Sequence, residues 1–234
     1  MAEVLKYPLT PVPLSLSHVD GTMQKTPKAT LMKYLESQVT TTPPASINTT
    51  IIDASFFLHL QMNSAIPSSF GAVSRFLLRR MVKYDGDTIH FVADKWLSPS
   101  IKDCKRDSRA ASSVAYHITG PSQKRPSNWI QALRNASFKE SLIDFLVDSW
   151  EDDTLACVLQ QKTLFANSGD ICYSYKVENG RVVRRVEIRL CSDHEEADSR
   201  MFFSSRKRTS PKQRRHSHIR HRLPCYWFMM LFLF

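Results

Sequence analysis

Five carboxylates stand where a metal site can be assembled from distant parts of a chain. Asp53 closes the β-branched run Thr49-Thr50-Ile51-Ile52, and Asp94 closes Thr88-Ile89-His90-Phe91-Val92-Ala93. Glu195, Glu196 and Asp198 lie in Leu190-Cys191-Ser192-Asp193-His194-Glu195-Glu196-Ala197-Asp198-Ser199-Arg200, which reads as the end of a strand, a turn and the first turn of a helix. In open α/β sheets ligands bind beyond the carboxyl ends of the strands, which is where these acids fall. Donor sets made only of oxygen select hard cations, Mg²⁺ or Mn²⁺. A pair of such ions activates a water and stabilises the leaving oxygen of a phosphodiester. Acids in a first helical turn are also favoured by the helix dipole alone, so taken by itself the Glu195–Asp198 stretch reads equally well as a helix start. Its coincidence with two strand-end aspartates tips the reading toward a site.

The elements that must position these acids follow from periodicity. Thr49–Asp53 reads as a buried first strand, with a helix or turn over Ala54–Gln61. Phe70–Tyr84 is amphipathic: Val73, Phe76, Leu77, Met81 and Tyr84 recur at helical spacing, with Arg75, Arg79, Arg80 and Lys83 mostly outside. Thr88–Asp94 is a second strand, and strand-helix-strand in this order implies a parallel pair with a crossover. Helices follow over Asn128–Asn135 and from the capping-box sequence Ser137-Phe138-Lys139-Glu140 to about Trp150, with Trp129 and Trp150 read as core. Lys162–Ala166 is a third strand. Ile171–Val177 and Val182–Leu190 are two more, joined through Asn179-Gly180, a strong hairpin signal. The fold class is therefore α/β, a mainly parallel sheet flanked by helices with a β-hairpin near 171–190.

Outside this body the chain changes character. Residues 1–46 are an extended, Pro-rich lead-in, with a short helix expected from about Pro27 to Gln38. The chain's net charge is +10, yet residues 201–234 hold eight Lys/Arg and no acid, leaving 24 basic and 22 acidic residues in the rest. The high isoelectric point is thus a property of the tail. Residues 204–234 read as a basic, disordered tail. Arg206-Lys207-Arg208 with Arg214-Arg215 resembles a nuclear import signal or a nucleic-acid patch, or is a solvated basic run without a role. The apolar end from Leu223 is too short to span a membrane, which takes about 20 residues. Five unpaired-looking cysteines and no apolar leader fit an intracellular, reducing setting, nuclear where the basic run acts as an import signal.

The acidic series carries a family resemblance. Ile51-Ile52-Asp53, Phe91-Val92-Ala93-Asp94-Lys95 and Glu195-Glu196-Ala197-Asp198, in that order, resemble the PIN-like and flap-endonuclease-like 5′-nuclease superfold, over about residues 47–203. The Glu-Glu-Ala-Asp segment is also similar to one in a group of uncharacterised animal proteins linked to mobile elements. The resemblance implies that Asp53, Asp94, Glu196 and Asp198 hold Mg²⁺ or Mn²⁺, with Glu195 close by, and that the activity is phosphodiester hydrolysis of DNA or RNA with water as nucleophile. It implies further that Lys95, Lys102, Arg106 and Arg109 grip substrate phosphates, in the manner of the helical arch of flap nucleases. One departure stands out. The family continues into another buried strand ending in D-x-D, whereas here no Asp or Glu follows Asp198. Residues 47–203 accordingly resemble an incomplete domain. Two functional expectations follow: a metal-dependent nuclease-like enzyme, or a non-catalytic remnant that binds nucleic acid or protein.

The remaining candidates are weaker. His59, His90 and His117 are isolated and read as satisfied or exposed histidines. His194, beside the acidic pair, is expected to bond a carboxylate. No cysteine neighbours an obvious base in sequence, which argues against a thiol nucleophile.

Overall fold

The computed structural model describes residues 46–61, 66–96 and 116–208, together with six scattered positions between 18 and 38. The described residues from 46 onward belong to one compact unit and the scattered ones to another. Most of the expected helix over 27–38, the basic residues Lys102, Arg106 and Arg109, and the tail from 209 onward lie outside the described residues.

In chain order the elements are β1 (Thr49–Asp53), α1 (Ala54–Leu60), α2 (Phe70–Met81), β2 (Thr88–Val92), α3 (Trp129–Ala132), α4 (Ala136–Ser149), α5 (Ala156–Leu159), β3 (Thr163–Ser168), β4 (Ile171–Glu178), β5 (Arg181–Val186) and α6 (Ala197–Arg208). The strands form a single five-stranded sheet in the order β1-β2-β3-β4-β5. β1, β2 and β3 run parallel, with Ile51 opposite His90 and His90 opposite Phe165. β3–β4 and β4–β5 are antiparallel.

The α/β class is therefore as expected, but the sheet is mixed rather than mainly parallel. The reason lies in two tight links. Asn179 and Gly180 have φ of 51° and 78°, the left-handed pair that a two-residue hairpin needs. The other link, Gly169-Asp170, has φ of 53° at Gly169 and turns β3 straight back into β4. A parallel neighbour would have needed a crossover of a dozen residues or so.

Both crossovers, β1 to β2 and β2 to β3, lie on the same face. Right-handed connections that step in the same direction along a sheet must do so. That face carries Ile52, Ile89, Phe91, Leu164, Ala166 and Tyr175, packed against Phe57 of α1, Phe70, Val73 and Leu77 of α2, and Phe138, Leu142 and Leu146 of α4. Trp150, fully buried, stands edge-on to both Phe91 and Tyr175. α2 is capped by Ser69, whose hydroxyl accepts from the Ala72 amide. α4 starts two residues earlier than its capping-box sequence predicts: Asn135, not Ser137, is the cap and accepts from the Phe138 amide.

The opposite face is covered by α6, where Ile51, Val92, Ala197 and Met201 form a small second cluster. The last strand departs from expectation. β5 ends at Val186 instead of running to Leu190, Val182 is its buried residue, and Ile188 sits 80% exposed in a short 3₁₀ turn. No helix among the described residues is long and apolar enough to cross a membrane.

Candidate functional site

Asp53 and Asp94 lie at the carboxyl ends of the adjacent parallel strands β1 and β2, and α6 begins beside them. Each aspartate caps a helix. Asp53 Oδ1 accepts from the Phe56 amide at 2.9 Å and opens α1. Asp94 Oδ1 accepts from the Ala197 amide at 2.9 Å, across 103 residues of sequence, and so fixes the start of α6. Its Oδ2 accepts from the Ser55 hydroxyl at 3.2 Å. The segment before α6 is held by the Lys95 amide, which donates to the Glu195 carbonyl at 2.8 Å.

Three of the acids act on one another. The Asp53 carboxyl is raised from its ordinary 3.8 to about 6, chiefly by burial and further by the charges of Asp94 and Asp198, against the lowering effect of the Phe56 and Ser55 amides. Asp53, Asp94 and Asp198 therefore share one corner of the molecule, and the charges that raise Asp53 are both acids. Asp198 is exposed in the first turn of α6; Glu195 and Glu196 are half-buried just before it, on the approach to the helix. The donor chemistry fits a hard cation, being carboxylate oxygen with an excess of negative charge. The side chains as they stand serve as caps, and among the described residues no group of three His, Cys, Asp or Glu is gathered to hold a metal ion.

The phosphate-gripping expectation fares differently at the one position that can be seen. Lys95 Nζ lies 2.6 Å from Asp170 Oδ1, so this cation already has a carboxylate partner. The sheet order also bears on the site. Ligand crevices of open α/β sheets sit where the strand order reverses. Here β1, β2 and β3 succeed one another without reversal, and β1 is an edge strand. A groove of about 890 Å³ lies elsewhere, between α2 and α4, lined by Gly71, Arg75, Phe76, Phe145, Asp148 and Leu155 among others.

Several residues that sequence reasoning passed over organise the region next to the acids. Arg200 of α6 is only 1% exposed. Its guanidinium donates to the carbonyls of His194 (2.5 Å), Ser192 (3.2 Å) and Ala93 (3.4 Å) and lies 3.9 Å from Asp170. Burial lowers its pKa, partly offset by Asp170, Asp94 and Asp193. The sequence signal for this role was the Gly169-Asp170 turn, which sets an acid beneath α6. His194 packs its ring against Phe203, at 5.9 Å between centroids.

His90 is buried and bonded, as expected of a core histidine: its Nε2 is 2.8 Å from Asn167 Oδ1. The expectation that no cysteine has a base nearby is overturned. Cys172 Sγ is 3.8 Å from the same Nε2, because β2 and β4 bring together residues 82 positions apart.

Comparison of the chain with protein-family models, with curated proteins and with solved structures finds no match.

Proposed function

We propose that residues 46–208 form a nuclease-like domain whose strand-end acids Asp53, Asp94 and Asp198 take up Mg²⁺ or Mn²⁺, in the service of phosphodiester hydrolysis. The observation that carries the reading is the gathering of these acids at the ends of β1 and β2, where burial first, and then the charges of Asp94 and Asp198, raise Asp53 to about 6. A bound divalent ion would supply Lewis acidity toward a phosphate and lower the pKa of a water. The chain's own residues do the rest. Asp53 and Asp94 set the directions of α1 and α6 through their caps, Asp198 adds charge from the first turn of α6, and Glu195 and Glu196 stand on the approach. The resemblance to PIN-like and flap-endonuclease-like proteins supports the same assignment, with DNA or RNA as substrate.

Asp198→Asn is the discriminating variant, because Asp198 is an acid of the corner whose carboxylate caps neither α1 nor α6. Under this reading it weakens Mn²⁺ binding, measured by calorimetry, at least tenfold and leaves the metal-free fold intact. Hydrolysis of single-stranded and flap substrates in Mn²⁺ falls with it. Unchanged Mn²⁺ affinity in Asp198→Asn would sink the reading.

A second reading is a non-catalytic domain of nuclease ancestry that binds nucleic acid or protein. It is favoured by the engagement of both Asp94 oxygens, on Ala197 and Ser55, and by the pairing of Lys95 with Asp170. Under it, nucleic-acid binding is metal-independent and steeply salt-dependent. It disappears on removing residues 209–234, a cut that leaves α6 whole.

A further inference from the structure

On the face of the sheet covered by α6, a second chemical centre lies beside the acids and is independent of whether they bind a cation. Cys172, fully buried on β4, donates its amide hydrogen to Cys191 Sγ at 3.4 Å. Cys191 is half-buried and follows the 3₁₀ turn Ile188–Leu190. Two backbone bonds hold the segments side by side: the Glu187 amide donates to the Cys172 carbonyl at 2.8 Å, and the Ser192 amide donates to the Asp170 carbonyl at 3.0 Å. The Cys172 sulfur in turn lies 3.8 Å from His90 Nε2, which Asn167 Oδ1 holds at 2.8 Å. An Nε2–H shared between an amide oxygen and a sulfur stabilises the thiolate over the thiol. The buried Arg200 guanidinium adds positive charge that interacts with the same sulfur.

We propose that Cys172 and Cys191 form a peroxide-driven, reversible disulfide that clamps the segment leading to α6 onto β4. Cys191, the more accessible thiol, is the one oxidised first. Its thiolate attacks a peroxide oxygen, the O–O bond breaks, an S–O bond forms, and hydroxide leaves, becoming water with the proton that the thiol released. The Cys172 sulfur, which faces His90 Nε2 and interacts with the Arg200 charge, gives up its proton and attacks the sulfenic sulfur. The S–S bond forms, the S–O bond breaks, and hydroxide leaves as water after taking a proton. Two thiols and one hydrogen peroxide thus give one disulfide and two waters. In a reducing compartment such a bond is transient, which suits a switch rather than a staple.

The test treats the full chain with stoichiometric hydrogen peroxide under native conditions, blocks remaining thiols, and maps peptides by mass spectrometry without reduction. The expected product is a Cys172–Cys191 cross-link that dithiothreitol removes, formed ahead of any modification of exposed Cys157. In Cys172→Ser, a dimedone adduct accumulates on Cys191. His90→Gln, which removes the imidazole facing Cys172 Sγ, slows the cross-link roughly threefold. Cys191→Ser alters only a half-buried side chain, so it leaves the fold intact and abolishes the cross-link even if Cys172→Ser unfolds the core. The proposal fails if Cys191 is recovered fully blocked while Cys157 is oxidised. It fails equally if Cys172 or Cys191 pairs preferentially with Cys104, Cys157 or Cys225.

Discussion

On one face of the sheet, β1 to β3 present Ile52, Ile89, Phe91, Leu164 and Ala166 to α1, α2 and α4. On the other, the same strands present Ile51, His90, Val92 and Asn167 toward the side that α6 covers. The first layer is an aromatic, apolar core of the kind that supplies most folding free energy. The second is small, and its apolar part is four residues beside a buried polar group of His90, Asn167, Cys172, Ser192 and Arg200. Polar burial of that kind adds little stability once satisfied and costs much when broken. The apolar layer holds the domain together, while the polar layer fixes where α6 begins and hence where the acids stand.

Substitutions on the two faces should separate these roles. The largest effect is expected at Trp150, which has no exposure and two edge-on aromatic neighbours: Trp150→Ala should cost about 4 kcal/mol in urea-induced unfolding. A loss under about 1 kcal/mol would mean the apolar layer is not the principal core. Next comes Arg200→Met, which leaves the carbonyls of His194, Ser192 and Ala93 without their donor and should cost about 3 kcal/mol. Protease sensitivity should rise selectively at 187–208, and a uniform rise along the chain would contradict the localised role.

The third effect has the opposite sign. Folded Asp53 titrates near 6 and unfolded Asp53 near its ordinary 3.8, so between these values the folded state holds a proton that the unfolded state has released. Stability from this group therefore falls as pH rises through that window and stays lower above it, by roughly 3 kcal/mol. Asp53→Asn keeps a capping oxygen and removes the charge. The difference in unfolding free energy between variant and parent should grow from near zero at about pH 4 to roughly 2–3 kcal/mol in the variant's favour at neutral pH. A difference that is flat with pH would show that burial and the neighbouring acids do not raise Asp53.

The smallest effect belongs to the rim of the helix-bearing face, where Arg184 of the hairpin stacks on Tyr173 and meets the exposed acids Asp148 and Glu151. Arg184→Ala should change stability by less than about 1 kcal/mol, and a larger loss would show the β4–β5 arm to be a structural equal of the other layers.

What the sequence made legible follows the same division. β1 is bounded as its β-branched run predicts, α2 appears where the 3.6-residue stripe sets it, and Asn179-Gly180 turns the hairpin. Trp129 and Trp150 are core, as their settings suggest. These features are local, and local chemistry decides them. The antiparallel return of β4 rests on the turn sequence Asn167-Ser168-Gly169-Asp170, whose length is too short for a crossover. The polar layer was invisible because its members are far apart in the chain: His90 meets Asn167 and Cys172 only through strand register. The acids occupy the strand ends and helix start that their positions imply. The Asp53 cap on α1 spans only three residues, whereas the Asp94 cap on α6 was not legible, since a cap that reaches across 103 residues leaves no trace in spacing.

The strand order has a consequence for synthesis. Each strand pairs with the one made just before it, so the sheet can grow in one direction as the chain emerges, without an earlier strand having to part and admit a later one. The outer edge of β1 is the starting edge and gains no strand among the described residues. α6 comes last, and only when residue 197 has been made can Asp94 close onto it. Among the described elements, none covers the face carrying Ile51, His90 and Val92 until α6 has been made. The order of manufacture makes the acidic corner the final part of the domain to exist.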